Sequence, residues 1–187
     1  MEPTKKKMSS PREFIDAGDY SGGLAFVKHK IRSYSGPPDS EEIVHLKMWQ
    51  GYLCYCVGKS AEALETYQSL LGHGESLPST AHNKDLLTVY MACCYYRMQK
   101  YEESRDLMKD AIYPEANTRS LANRLLINVA QSLSDEFMLM ERHKMLADTV
   151  EDQMTLAYIH TMRHHFQEVC MIFFSYFPEY VMRNVVH

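Results

Sequence analysis

Apolar residues recur every three or four positions along most of the chain, which is the period of amphipathic helices. The clearest stretch runs from Met48 to Leu71, where two such runs flank Gly58-Lys59-Ser60. Glycine tolerates the left-handed conformation that ends a helix, so this tripeptide predicts a tight turn between two antiparallel helices. Gly51 and Ala63 are the small residues that we expect where the two backbones approach closely.

Parts of this pattern recur around Gly18, Gln99 and His164. Positions 18, 58 and 99 are separated by 40 and 41 residues, and 65 residues separate 99 from 164. One helix pair cannot bury its apolar face alone, so recurring pairs indicate a stacked array. The predicted repeats cover residues 10–33, 40–72, 84–113, 119–147 and 150–177. The fourth repeat rests on its spacing and its apolar period.

Both ends of the chain depart from this pattern. Residues 1–9 include Lys5-Lys6-Lys7, lack apolar periodicity and predict a disordered basic tail. Residues 178–187 are apolar at Tyr180, Val181 and Val185 and predict the start of a further helix. Repeat arrays normally end in a polar capping helix. We therefore expect a piece of a longer protein that self-associates through an uncapped carboxy-terminal end.

The repeated unit resembles the tetratricopeptide repeat, whose signature combines Trp, Leu-Gly, Tyr, Ala, Phe and Pro over about 34 residues. Trp49, Gly51 and Tyr52 carry the resemblance in the second repeat, and Tyr101 to Ser104 carry it in the third. The resemblance implies an all-α solenoid of about five antiparallel helix pairs, wound into a right-handed superhelix.

A more specific resemblance lies between residues 123 and 168. Its segments are Asn123-Arg124-Leu125-Leu126, Ser134-Asp135-Glu136, Val150-Glu151-Asp152-Gln153, Leu156-Ala157, Ile159-His160, Met162-Arg163 and Gln167-Glu168. This succession is similar to that of the tetratricopeptide subunit family of intraflagellar transport complex B, subunit fifty-six. The resemblance implies an adaptor of the cilium or flagellum, its base and the cytoplasm. Such an adaptor binds other complex B subunits and supports cilium assembly and cargo transport.

Composition narrows the remaining classes of function. A net charge of -4 and a pI near 6.1 disfavour a nucleic-acid or anionic-membrane binder, which usually carries a basic excess. The sequence has no uninterrupted apolar run of about 20 residues and no apolar signal core, so it predicts neither membrane insertion nor secretion. Its five cysteines, an odd number, indicate reduced thiols of a cytosolic compartment.

No catalytic motif emerges, so the sequence predicts neither an enzyme nor a cofactor. His160 and His164 lie four residues apart, with His165 and Glu168 nearby. A metal site needs three or four converging ligands, and a turn is predicted at His164-His165. We therefore interpret these residues as parts of a turn and groove. A metal-dependent or thiol enzyme is the outlying hypothesis.

The predicted protein-binding groove uses apolar and aromatic positions of the first helix in three repeats. Its residues are Met48, Tyr52, Tyr55, Val89, Cys93, Tyr96, Arg97, Met154, Tyr158 and Met162. They suit an apolar segment of another protein, although contacts with neighbouring repeats explain the same pattern equally well.

The alternative function is a general cytosolic co-factor of the co-chaperone kind. Members of that class grip a carboxylate terminus with lysine and asparagine side chains. Here only Arg97 offers a positive charge among the groove positions. The sequence therefore disfavours a carboxylate clamp.

Overall fold

The computed structural model describes residues 9–37, 40–72, 80–109 and 111–176. These ranges contain ten α-helices and no strand, which confirms the all-α class. The helices are α1 (Pro11–Asp16), α2 (Tyr20–Arg32), α3 (Glu41–Cys56), α4 (Ser60–Gly72), α5 (Thr80–Arg97), α6 (Tyr101–Met108), α7 (Ala116–Ser132), α8 (Glu136–His143), α9 (Val150–Met162) and α10 (Phe166–Tyr176). None of these helices has the length and apolar character needed to cross a bilayer.

The chain forms two compact units that divide between Ala111 and Ile112. In the first unit, α1–α2, α3–α4 and α5–α6 are helical hairpins, and successive hairpins pack through α2 on α3 and α4 on α5. In the second unit, α7–α8 and α9–α10 are hairpins, and α7 contacts α9. Tandem hairpins of this kind are the expected tetratricopeptide-like arrangement.

All five hairpins turn through the same backbone motif. One residue in each turn has a positive φ: Gly18, Gly58, Gln99, Ser134 and His164. The N–H of each donates to the carbonyl three residues earlier, and the next N–H donates to the carbonyl five residues before it, at 2.8–3.1 Å. These two bonds define the Schellman motif, which satisfies the last carbonyls of a helix. The repetition is therefore structural even in the fourth hairpin, whose sequence matches the signature poorly.

In two hairpins a small residue of the first helix lies in close contact with the second helix. In the second hairpin Gly51 is buried, and a Cβ added there would lie 2.4 Å from Cε1 of Tyr67. The third hairpin has Ala92 at the equivalent position, and its carbonyl accepts a hydrogen bond from Oγ of Ser104 at 2.9 Å. The small-residue prediction for Gly51 is thereby confirmed.

In the fourth hairpin, large side chains occupy the contact positions between the paired helices. Ile127 lies seven residues before its turn residue, as Gly51 and Ala92 do in their hairpins, and Leu139 lies five residues after it. Both side chains are buried. Bulky residues at these two positions explain why the tetratricopeptide signature is weak here.

A buried carboxylate joins the polar groups of the second unit. Asp152 is 1% exposed, and its Oδ1 accepts from Ser120 Oγ at 2.8 Å and from Arg124 Nη1 at 2.9 Å. Its Oδ2 accepts from the N–H of Ala147 at 2.9 Å. Burial alone would raise the pKa of Asp152, but these donors outweigh it and the pKa is lowered. The ionised side chain therefore links α7, the segment before α9 and α9 itself.

Helix starts and ends show where the sequence pattern was incomplete. Ser10 caps α1 and Ser40 caps α3. In contrast, α5 begins at Thr80, before the predicted start of the third repeat at residue 84, and α6 ends at Met108, before the predicted end of that repeat at residue 113. The helix α7 starts at Ala116, before the predicted start of the fourth repeat at residue 119.

Two predicted segments lie mostly or wholly outside the described residues. Ser9, assigned to the basic tail, donates from Oγ to the carboxylate of Glu13 at 2.7 Å. Residues 1–8 of that tail and the further helix predicted at 178–187 lie outside the described residues.

Candidate functional site

Side chains from α1, α3 and α5 enclose an open groove in the first unit, with a volume of about 400 Å³. We call it the aromatic groove. Its lining consists of Arg12, Ile15, Asp16, His45, Met48, Trp49, Tyr52 and Tyr90. Met48 and Tyr52 were predicted as binding residues, and the other six were not. The helical spacing of His45, Trp49 and Tyr52 is a signal that could have extended the prediction along α3.

The floor of the aromatic groove is built from rings in edge contact. Trp49 lies between His45 and Tyr52, with ring centroids 5.9 and 6.1 Å away and interplanar angles of 77° and 79°. Tyr90 joins from α5 and packs on the buried Tyr67 at 5.5 Å. Burial, followed by the nearby Cys56, raises the pKa of Tyr52 to about 12. The Tyr52 hydroxyl is therefore protonated at neutral pH and can donate a hydrogen bond.

One wall of the aromatic groove carries a pair of opposite charges. Arg12 and Asp16 are four residues apart on α1, which places them on one helical face. Both are exposed, and neither forms an ion pair or a side-chain hydrogen bond within the part of the chain that the structure describes. The groove thus combines an aromatic floor with two charges that have no partner there.

Arg97 is already engaged inside the first unit. Its Nη1 donates to the carbonyl oxygen of Tyr55 at 2.9 Å, and its guanidinium lies 4.8 Å from the centroid of the Tyr55 ring. The cation–π contact and the hydrogen bond tie the ends of α3 and α5 together. The positive charge of Arg97, the one charge among the predicted groove residues, is therefore already in contact with Tyr55.

Three further predicted residues lie mainly in contacts between helices. Val89 is fully buried, which corrects its assignment to an exposed groove. Cys93 is partly buried, and burial raises the pKa of its thiol to about 12. The ring of Tyr96 packs on Tyr101 with centroids 5.4 Å apart. For these positions, contact with neighbouring helices explains the apolar pattern.

The last three predicted residues form an exposed stripe on α9, in the second unit. Met154, Tyr158 and Met162 follow one another at intervals of four and are 40%, 47% and 53% exposed. Side chains at this spacing share one face of a helix. We call them the α9 stripe and describe it separately from the aromatic groove, because the two belong to different units.

A family model described as intraflagellar transport protein 56 matches residues 47–179, which is more than two thirds of the chain. The chain belongs to this family.

A protein from Caenorhabditis elegans, named intraflagellar transport protein 56 homolog, is 28% identical over 170 residues. The alignment covers 91% of this chain but only 27% of the relative, so the chain spans about a quarter of that protein's length. No solved structure matches the chain significantly.

Only part of the aromatic groove lies within the residues matched by the intraflagellar transport protein 56 family model. Met48, Trp49, Tyr52 and Tyr90 lie within the matched residues 47–179, and so does the whole α9 stripe. The charged wall on α1 precedes the matched residues. The contribution of α1 to the groove is therefore a feature of the structure that the family match does not include.

Three histidines of the second unit, His143, His160 and His165, lie close together. Nδ1 of His160 and Nδ1 of His165 are 3.4 Å apart, and the rings of His143 and His160 are 6.5 Å apart. His164 is the turn residue with φ of 60°. Among the described residues, no group of three His, Cys, Asp or Glu side chains is arranged to hold a metal ion.

The buried thiols are held in their protonated form. Cys54 is buried and Cys94 is buried. Burial raises the pKa of Cys54, and burial together with Cys93 raises the pKa of Cys94 to about 12. Because the thiolate is the reactive form, these environments disfavour nucleophilic chemistry at Cys54 and Cys94.

Proposed function

We propose that this member of the intraflagellar transport protein 56 family is a non-enzymatic scaffold that binds other subunits of complex B. In this role it supports assembly of the cilium or flagellum and transport of cargo. It acts in the cilium, at the ciliary base and in the cytoplasm. The family match over residues 47–179 is the observation that carries the proposal.

The proposed binding surfaces are the aromatic groove and the α9 stripe. Both expose large apolar and aromatic side chains on a packed helical support, and such anchors supply most of the affinity of a protein interface. Tyr52 and Tyr158 are 36% and 47% exposed, and each lies six residues before the turn residue of its hairpin. These two tyrosines are therefore equivalent positions in two surfaces.

Affinity purification of the tagged chain from ciliated cells tests the proposal. We expect complex B subunits to be recovered with the unaltered chain and to be reduced by Tyr52→Ser or Tyr158→Ser. Phe137→Ser is the matched control, because Phe137 is 80% exposed on α8 and belongs to neither proposed surface. Recovery of chaperones without complex B subunits would favour the general co-factor instead.

A further inference from the structure

We infer that the aromatic groove binds an amphipathic helix of a partner protein. The helix presents one large apolar side chain on a face next to an acidic and a basic residue that are four positions apart. This inference specifies the partner of the proposed scaffold and rests on that function. It follows from the floor of the groove and from the charges of its wall.

The floor selects an apolar anchor. Trp49, Tyr52 and Tyr90 offer ring surface, and Met48 and Ile15 add aliphatic surface beside it. A volume of about 400 Å³ has room for a bulky side chain and its neighbours. A helix laid over such a groove inserts the residues of one face, spaced by three or four positions. An aromatic or branched aliphatic residue is the expected anchor.

Arg12 and Asp16 in the wall of the groove determine which charges the bound helix carries beside its apolar residue. Residues four apart on a helix lie about 6 Å from each other, which matches the spacing of Arg12 and Asp16 along α1. An occupant with an acid and a base at the same spacing pairs with both charges at once. Two like charges on the occupant leave one protein charge facing its own sign, which opposes binding.

The protein carries a reporter in the floor of the groove. Trp49 is its single tryptophan, so tryptophan fluorescence of the whole chain reads this site. The probes are three short synthetic helices without tryptophan. In the first, Glu and Lys are four positions apart and Phe lies three positions after Glu, so that the three side chains occupy adjoining faces. The second replaces Phe by Ala, and the third replaces Glu and Lys by Gln.

We expect the first peptide to change Trp49 fluorescence and to bind about tenfold more tightly than the second, and severalfold more tightly than the third. Its advantage over the third should shrink as salt is added, because exposed charges are screened. Equal affinities for all three peptides, or no fluorescence change with the first, would overturn the inference.

A double-mutant cycle assigns each charge to its partner. Asp16→Asn should weaken binding of the first peptide severalfold but should not weaken binding of a peptide whose Lys is already Gln. Arg12→Gln should behave in the same way toward the peptide's Glu. Both protein side chains are exposed, so the variants should fold normally, and far-ultraviolet circular dichroism checks this. Phe137→Ser is the control and should leave all affinities unchanged, because Phe137 is 80% exposed on α8 in the second unit and belongs to neither proposed surface.

The outcome separates this inference from the function on which it rests. If complex B subunits are recovered from cells but the peptides show no selectivity, the partner chemistry is wrong and the scaffold proposal stands. If the peptides bind selectively but complex B subunits are not recovered, the groove chemistry stands and the intraflagellar partner is wrong.

Discussion

Asp152 is a buried carboxylate that joins polar groups from three segments of the second unit. Its carboxylate accepts hydrogen bonds from Ser120, Arg124 and Ala147 while it is almost completely buried. A buried acid of this kind is stabilising only as long as its partners remain in place. Replacing it leaves Arg124 without its carboxylate and the Ala147 N–H without an acceptor.

We expect Asp152→Ala to lower the free energy of unfolding by about 3 kcal/mol, because it breaks a buried ion pair and its hydrogen bonds. Urea unfolding followed by circular dichroism measures the change, and faster amide exchange in α9 should locate it. Glu151→Ala is the control, since Glu151 is exposed and should cost no more than about 0.5 kcal/mol. Equal losses in the two variants would contradict the assigned role.

The turn residues show how far single positions could be predicted. Gly18 and Gly58 announce their turns in the sequence, since glycine adopts a positive φ at low cost. Ser134 has the same conformation without any such signal, so the fourth repeat was predicted from its spacing and its apolar period. The structure supplies the missing information through the two hydrogen bonds that close each turn.

Substitution in these turns should act in opposite directions. Ser134→Gly should raise the free energy of unfolding by about 0.5 to 1 kcal/mol by relieving a left-handed side-chain clash, and Gly58→Ala should lower it by a similar amount. Thermal unfolding of each variant measures both effects.

Ser132→Gly is the control for the turn substitutions. Ser132 is the last residue of α7 and has no positive φ, so glycine there should destabilise. Stabilisation by both Ser134→Gly and Ser132→Gly would mean that the turn conformation is not the cause.

At the scale of elements, the α3–α4 hairpin depends on one close approach. The Gly51 backbone lies against the Tyr67 ring, so even a methyl group has no room. From Gly51 and Ala63 the sequence predicted a close approach of the two helices, but not the contact with Tyr67. It did not predict Gly23, where a Cβ would lie 3.0 Å from Cβ of Phe14 and 3.2 Å from Cδ2 of Leu53. The neighbours of Gly23 come from α1 and α3, so the local sequence pattern does not indicate this contact.

We expect Gly51→Ala to cost about 1 to 3 kcal/mol and Gly51→Leu to cost more, because overpacking forces the two helices apart. Gly72→Ala is the matched control, since a Cβ at Gly72 meets no atom within 4 Å. Trp49 fluorescence during urea unfolding reports the first unit directly. An unchanged midpoint for Gly51→Leu would exclude the close contact.

The contact between His143 of α8 and the end of α9 should respond to pH. Burial lowers the pKa of His143, and the charges of His160 and Arg163 lower it further. A lowered histidine pKa means that folding favours the neutral ring. Stability should therefore be full above the unfolded-state value of about 6.5 and should fall as the pH decreases below it. Amide exchange in α8 and α9 at pH 7.5 and 5.5 measures the effect.

Replacing the partly buried His143 ring should remove part of the pH dependence of stability. His143→Gln cannot gain a proton, so its exchange rates, corrected for intrinsic chemistry, should differ less between the two pH values. His29→Gln is the control, because His29 is exposed on α2 in the first unit. Identical pH dependence in His143→Gln and the unaltered chain would assign the effect to another group.

Over the whole molecule, helix positions were easier to predict than binding surfaces. An apolar period of three to four residues is a local signal, so nearly every helix was recognised from it. Helix ends were less certain, as at α7, where the Glu115 side chain accepts hydrogen bonds from the Asn117 and Thr118 N–H groups. The aromatic groove joins α1, α3 and α5, and such a meeting of distant residues leaves no local signal.

The exposed apolar side chains of the second unit carry the expectation of self-association. Three large apolar side chains of α10 are exposed. They are Phe166, Met171 and Phe174, which are 58%, 63% and 54% exposed. Clusters of exposed apolar residues drive association, whereas single ones are common on any surface. We expect the average mass in sedimentation equilibrium to rise with concentration, and Met171→Glu with Phe174→Glu to reduce this rise. Ile112→Glu is the control, because Ile112 is 87% exposed but lies outside α10. A mass that stays monomeric for the unaltered chain would exclude self-association.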